Sequence, residues 1–482
     1  MSRDAISQYI DAHLDSHVSK IQDLVRQPSV SLEKQGLQEC AELLRLHLAE
    51  LGCQETALID VGDAYPGVWA RLDSGAAKTI LYYSHYDVRP VGSDHWDWPP
   101  FGAELVEMPP YKRVIVGRGA LGLKGPLQAW LNALQAIKAV EGKLPVNVLF
   151  LIEGAEIMGS RNFLRLAERY WDQLQEAHAL FSPGASQNAQ GEVSVVLGYK
   201  GLLYLELEAS GEAWGRGPSV PVHSAVNAVV DSPAWRLIHA LATLTDREGQ
   251  RLVVEGLAAL FDHRKDIGAE EGELLERLHR RFEGRDPNTV IPGLAAKSPV
   301  KIFKRGLTGQ EVLNEYLYAP SVNISGLRSG YIGPGSKSFL LPHQAVATLD
   351  IRLITDLDAQ EAIRLLTAHL EREGFGDIRV NVLGAYNWAQ TDPRADVVQA
   401  TLQTLDAYGY PPIIWPMVAF GGPWAHVPKV LGIPALRGAG PGFGDRAATS
   451  NEFYVVEGDG KVAGLADTEK FYVDLLYNYA AR

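Results

Sequence analysis

At 482 residues, 46% of them hydrophobic, the chain is long enough for two or three packed domains. Its 45 Lys plus Arg against 58 Asp plus Glu give a formal net charge of -13 at pH 7. No basic run stands out, which argues against nucleic acid or an anionic membrane as a partner. Cys40 and Cys53 read as reduced core residues, no apolar run reaches the roughly 18 residues of a membrane span, and the acidic, helical N-terminus does not read as a signal peptide, so a soluble cytoplasmic protein is expected.

Ile6, Tyr9, Ile10, Leu14, Ile21 and Leu24 recur at helical spacings and predict an amphipathic helix over 4–26 that stops before Pro28. A second helix is predicted over 35–51, closed by Gly52. Strands follow at 67–72 and 79–84, then an irregular Pro- and Trp-rich stretch, HWDWPPFGAELVEMPPYKRV. A helix opens at the Gly-rich turn around Lys124, a strand covers 146–152, and a further helix runs to about 176. This alternation implies βαβ units, hence an α/β class with a mostly parallel sheet covered by helices.

The pattern changes near Leu202. LLYLELEAS reads as a strand, a long charged helical region covers 243–285, and the strand AVATLDIRLI leads into a helix over 357–373 and a strand IRVNVLG. These predict a separate α+β domain of βαβ type. After Pro393 a helix, a strand at 412–415 and a Gly-rich loop resume the first pattern. The expected organisation is one α/β domain over 1–205 and 390–482, interrupted by an inserted domain over 206–389.

Three landmarks sit where predicted strands end: SHYD at Ser84–Asp87, GRGALGLKG at Gly117–Gly125 and EGAEIMGS at Glu153–Ser160. Ligands of open α/β sheets bind beyond the carboxyl ends of the strands, which places His85, Asp87 and Glu156 on one crevice. The GRG is a turn and helix entry rather than a phosphate loop, since no GKS or GKT follows.

In order and spacing, SHYDVRPV, WDWPPF, GRGALGLKG, EGAEIMGS, VHSAV at Val222–Val226, LDIRLI, FGGP and SNE resemble the di-zinc dipeptidases of the carnosinase and aminoacylase group over nearly the whole chain. The resemblance implies a zinc-exopeptidase-like fold whose inserted domain serves as lid and dimerisation domain, and hence a homodimer. It also implies a zinc pair held by a His in HYD, a bridging Asp, the second Glu of EGxEE, a downstream Asp and a C-terminal His. This sequence keeps His85, with Asp87 as the acid that orients it. At the other positions stand Gly122, Ile157, Pro183 or a close neighbour in LFSPGA, and Ala448. Retained are Glu156 at the family's general base and His223, which in relatives polarises the substrate carbonyl, often from the partner subunit. Arg352 matches the carboxylate-binding Arg, Gly421 and Gly422 match the substrate loop, and Lys337 and Ser338 lie near a further substrate contact.

A catalytic zinc uses about three protein ligands, so one His does not hold an ion pair. Asp445 or Glu452 would have to join His85 and Glu156 to hold even one metal, and both read as ordinary loop carboxylates. No metal and no cofactor is therefore expected. Bound zinc lowers the pKa of water from about 15.7 to about 7, worth about 12 kcal/mol, which a lone carboxylate does not replace. Glu156 still serves as a base on an activated substrate, an effect of about 100- to 10,000-fold.

The expected function is a dipeptidase-fold enzyme acting without metal on a small peptide-like or acyl amino acid substrate, by acyl transfer, cyclisation, elimination or hydrolysis of an activated bond. The alternatives are a non-catalytic pseudo-dipeptidase that binds a peptide-like ligand, and a conventional metallodipeptidase with rearranged ligands. A site holding Glu156 and Asp87 without ions is expected to be net negative and to receive a substrate ammonium, or else to draw in Arg446.

Overall fold

The computed structural model describes residues 2–249, 251–259, 267–294, 299–330, 339–354 and 357–482. It divides into two compact units, one of 1–197, 390–415 and 424–482, the other of 198–389 and 416–423. The first boundary falls ahead of 205 because the strand Gly201–Ser210 pairs along its length with Gln344–Leu353 and Arg379–Tyr386, both strands of the second unit. Among the described residues no helix is long and apolar enough to cross a membrane.

The first unit is built on an eight-stranded sheet in the order Glu55–Ile59, Gly67–Leu72, Asn147–Glu153, Thr79–His85, Ala179–Ser182, Ala435–Gly438, Val193–Val196, Pro412–Trp415. Its four central strands are mutually parallel. Antiparallel pairs flank them on both sides. Every residue of Thr79–His85 is buried, as a parallel strand covered on both faces requires. Successive side chains alternate faces. Tyr82 stacks on Trp130 of the helix Gly125–Glu141, while Tyr83 meets Phe163 and Trp424.

Two predicted segments of the first unit differ. The stretch predicted to be irregular holds most of the antiparallel pair Glu104–Met108 and Tyr111–Val116, joined at Pro109–Pro110, which Phe453–Glu457 and Gly444–Asp445 extend into a four-stranded sheet. It holds together because Tyr111, Val114, Val116, Phe453 and Val455 share a core. The helix expected after residue 153 starts only at Phe163, ends at Arg169 and is followed by the short turn Trp171–Leu174, because residues 154–162 form the turns that carry Glu156.

The second unit is a four-stranded antiparallel sheet, ordered Ser321–Ser329, Gln344–Leu353, Gly201–Ser210, Arg379–Tyr386. Gly201–Ser210 alternates between buried and half-buried positions after its first residues. Leu203, Leu205 and Leu207 pack with Leu349, Leu237 and Leu366 in one core. Gln344–Leu353 and Arg379–Tyr386 run parallel with Gly201–Ser210 between them, joined by the helix Ala359–Arg372, a split βαβ unit. The charged helix expected over 243–285 is interrupted: Asp246 and Gly249 close a turn that pairs Thr245 with Leu252, and the helix Ala269–Phe282 follows.

Candidate active site

His85 ends its strand in register with Glu153, the last residue of the neighbouring parallel strand. Past Glu153 the chain turns through Gly154, where a Cβ would overlap the buried Tyr86 phenol, and reaches Glu156. Asp87 is completely buried and organises the turn. Its carboxylate accepts the backbone N–H groups of Glu156 and Ile157 at 3.1 and 3.0 Å and lies 3.2 Å from His85 Nδ1. The same acid therefore orients the imidazole and fixes the loop that carries the candidate base.

His85 Nε2 stands 3.7 Å from Glu156 Oε2. The other oxygen of Glu156 lies 3.5 Å from Arg437 Nη2. Arg437 comes from the strand Ala435–Gly438, and its guanidinium lies 4.9 Å from the Trp424 ring centroid and 5.6 Å from that of Tyr83. Burial opposes the charge on Glu156, yet His85, Arg437 and Arg89 hold its carboxyl below the usual range. Burial likewise opposes the imidazolium, yet Glu156 and Asp87 raise His85 above its ordinary value.

Asp87, His85, Glu156 and Arg437 thus form a row of alternating acidic and basic groups, so a guanidinium already stands beside the acids expected to make the site net negative. The expected guest, Arg446, sits on an exposed turn where its own N–H binds the Asp445 carboxylate, and Arg437 is the guanidinium that meets Glu156. Behind the row, Glu153 accepts from the Tyr83 hydroxyl at 2.6 Å and is pushed up to about 8 by burial, with Asp87 and Glu156 adding to the rise.

Apart from His85, the positions at which the resemblance places metal ligands carry no side-chain donors. Gly122 and Leu121 give their backbone N–H groups to Glu452 Oε1 at 2.9 and 3.0 Å. The second oxygen of Glu452 pairs with buried Arg118 at 3.2 Å and accepts from the Ala448 N–H at 3.3 Å. Glu452 is therefore committed to its own loop, and Asp445 is exposed. Ile157, Pro183 and Ala448 supply no side-chain nitrogen, oxygen or sulfur. Among the described residues no three His, Cys, Asp or Glu side chains form a group able to hold a metal ion. The donor set does not fit a zinc pair. Lys124 has a structural contact, donating to the carbonyls of Leu24 and Gln27 at 2.9 and 2.6 Å.

The structure brings His85, Asp87 and Glu156 together in the first unit. The other candidates belong to the second. Arg352 lies on Gln344–Leu353 with its Nε 3.6 Å from Asp350. Gly421 packs on the Lys200 carbonyl, which leaves no room for a Cβ, and its own carbonyl accepts from Tyr386 at 2.6 Å. Gly422 is buried beside it. His223 is exposed, stacks on Phe339 and accepts the Ala225 N–H at 3.1 Å. Lys337 and Ser338 lie outside the described residues.

Lys200 joins two of these candidates: Gly421 rests on its backbone, and the Arg352 charge adds to the burial that pushes its amine down to about 7. Its Nζ donates to the carbonyls of Tyr316 and Ala319 at 2.7 and 2.6 Å. Sequence reasoning passed over Arg437, Arg118 and Lys200. A lone basic residue within an apolar strand signature, as in PALRGAG and VVLGYKGLLY, is the signal that was available.

A mostly parallel sheet, with an imidazole and a carboxylate beyond its strand ends and an antiparallel α+β unit inserted, is the exopeptidase-like class the resemblance implied. Residues 81–478 match the profile of Peptidase family M20/M25/M40, and the chain belongs to that family. The human Beta-Ala-His dipeptidase is 27% identical over 391 residues, 76% of this chain and 71% of that protein. The Cys-Gly metallodipeptidase DUG1 of Candida albicans is 24% identical over 378 residues, 74% of this chain and 72% of that protein. Among solved structures, the M20 family metallo-carboxypeptidase Sso-CP2 from Sulfolobus solfataricus superposes with a TM-score of 0.81 at 29% identity, covering 97% of this chain and 99% of that one. Human carnosine dipeptidase 1 superposes at 0.75 and 22% identity with both chains fully covered, a likeness of fold.

Proposed function

We propose that this peptidase-family chain is an enzyme that acts without a metal pair on a small peptide-like or acyl amino acid substrate, with Glu156 as the general base. The observation that carries the reading is the positioning of Glu156: its N–H is bound by Asp87 and its carboxylate lies between His85 and Arg437. A carboxylate so held, with its side chain 25% exposed, is available to take a proton from an incoming nucleophile. Because its neighbours weaken it as a base, the acyl bond under attack is an activated one, as in a thioester. In this reading Arg352 binds the substrate carboxylate, His223 polarises the carbonyl, and Gly421 and Gly422 shape the substrate loop. The assembly is a cytoplasmic homodimer.

The same ion pair with Arg437 favours a second reading, a binding protein for peptide-like ligands, because it engages the base. Turnover separates the two. Wild type and Glu156→Gln are screened against dipeptides, N-acyl amino acids and thioesters, alongside elemental analysis of the purified protein. Turnover that falls about 100- to 10,000-fold in the variant is expected. Turnover unaffected by the substitution removes Glu156 as the base, binding without turnover across the screen selects the second reading, and a full complement of two ions per chain with chelator-sensitive activity overturns both.

A further inference from the structure

The order of the central sheet explains how a guanidinium reaches Glu156. Ala179–Ser182 and Ala435–Gly438 are parallel neighbours, with Ser182 opposite Arg437. Ser182 is followed by Pro183, in the segment where the resemblance expects a liganding Asp. A strand end that would bring an acid to the ions brings none, and the adjacent strand delivers a cation instead. That cation is held from several directions, by the Glu156 carboxylate and by the faces of Trp424 and Tyr83. Planar guanidinium groups suit this combination of a carboxylate with aromatic faces, which an ammonium matches less well. Tyr83 is itself fixed, through its hydroxyl, on Glu153.

We propose that Arg437 is the resident counter-ion of the crevice, a positioning residue that supplies beside Glu156 the positive charge that ions supply in metal-dependent relatives, and that thereby keeps divalent cations out. This rests on the reading of the site as one that works without a metal pair. The remaining acids explain why such a device is needed. Without Arg437, the Glu156 carboxylate and the Nε2 of His85, 3.7 Å apart, would be the groups left to attract a divalent cation. With it, an approaching cation meets a fixed like charge 3.5 Å from the half-buried Glu156 carboxylate.

Calorimetric titration of Zn2+ and Mn2+ into the full chain tests this in wild type, Arg437→Gln, Arg437→Lys and the double variant Glu156→Gln/Arg437→Gln, with thermal melts to confirm folding. Arg437→Gln is expected to bind a divalent ion roughly tenfold or more tighter than wild type. Arg437→Lys keeps the wild-type affinity, and the double variant loses the gain. An unchanged affinity in Arg437→Gln overturns the proposal, and so does a gain that persists without Glu156.

A second measurement does not depend on that variant folding: hydrogen exchange at the Arg437 Nη2 protons, which face Glu156, followed by NMR at low temperature, is expected to accelerate roughly tenfold in Glu156→Gln as the charge-assisted contact is lost. An unchanged rate overturns the proposal. Neither readout uses turnover, so failure of the substrate screen and failure of the counter-ion assignment remain distinguishable.

Discussion

Arg118 and Glu452 form an ion pair at 3.2 Å with side chains only 2% and 1% exposed, and Glu452 also holds the amides of Leu121 and Gly122. The loop at the bridging-ligand position is thus fastened by a buried protein charge. Glu452→Ala leaves the Arg118 charge buried with carbonyl contacts but no carboxylate and is expected to cost about 3–5 kcal/mol in chemical denaturation. Adding Arg118→Met is expected to recover much of that loss, because removing both charges removes the uncompensated one.

Asp87→Ala removes the acceptor of two backbone N–H groups and the orienting partner of His85. A loss of about 1.5–3 kcal/mol is expected, as for hydrogen bonds to a charged group. Amide exchange at Glu156 and Ile157 should speed up beyond the global change. Protection at those two amides equal to wild type would contradict the role assigned to Asp87.

Glu153 gives a pH signature. Its carboxyl is pushed up to about 8 from an ordinary 4.5, so between those values the folded state binds more protons than the unfolded state. The stability tied to its protonated form is present below about 4.5 and is lost as pH rises through about 8. Thermal melts from pH 5 to pH 9 should therefore decline more steeply in wild type than in Glu153→Gln, whose side chain stays neutral throughout.

Gly154→Ala forces a methyl group into the Tyr86 ring, whose hydroxyl is anchored on the Pro66 carbonyl at 2.6 Å. Overpacking of this kind typically costs 1–3 kcal/mol, and about that loss is expected in denaturant melts. Because the displaced segment leads straight to Glu156, any turnover found in the substrate screen should fall in this variant as well. A variant as stable as wild type would mean that the Tyr86 ring yields.

The legible parts of the fold were those in which local pattern and burial agree. The run Ile80–Tyr83 reads as a buried strand because a parallel strand covered on both faces has no polar side. The pair Glu104–Met108 and Tyr111–Val116 escaped notice because two prolines mark its turn and its partner strand, Phe453–Glu457, lies far along the chain. The site divided the same way. His85, Asp87 and Glu156 sit in motifs that carry their own spacing, whereas Arg437 reaches Glu156 only through the order of strands, 281 positions away in sequence. Pairing between distant strands leaves no trace in a local window.

Gly122 is free of the constraint that Gly154 obeys. Its backbone angles, φ -110° and ψ 77°, do not call for glycine, and a Cβ there would meet only Glu452 Oε1, at an ordinary 3.6 Å. Gly154 is a glycine by necessity, because a Cβ there would overlap Tyr86; Gly122 is not. The backbone at the expected bridging position therefore has room for a Cβ, and what separates it from the expected acid is the missing side chain and the Glu452 carboxylate beside it. Gly122→Asp can therefore be introduced on an otherwise unaltered backbone, where its carboxylate would stand against that of Glu452.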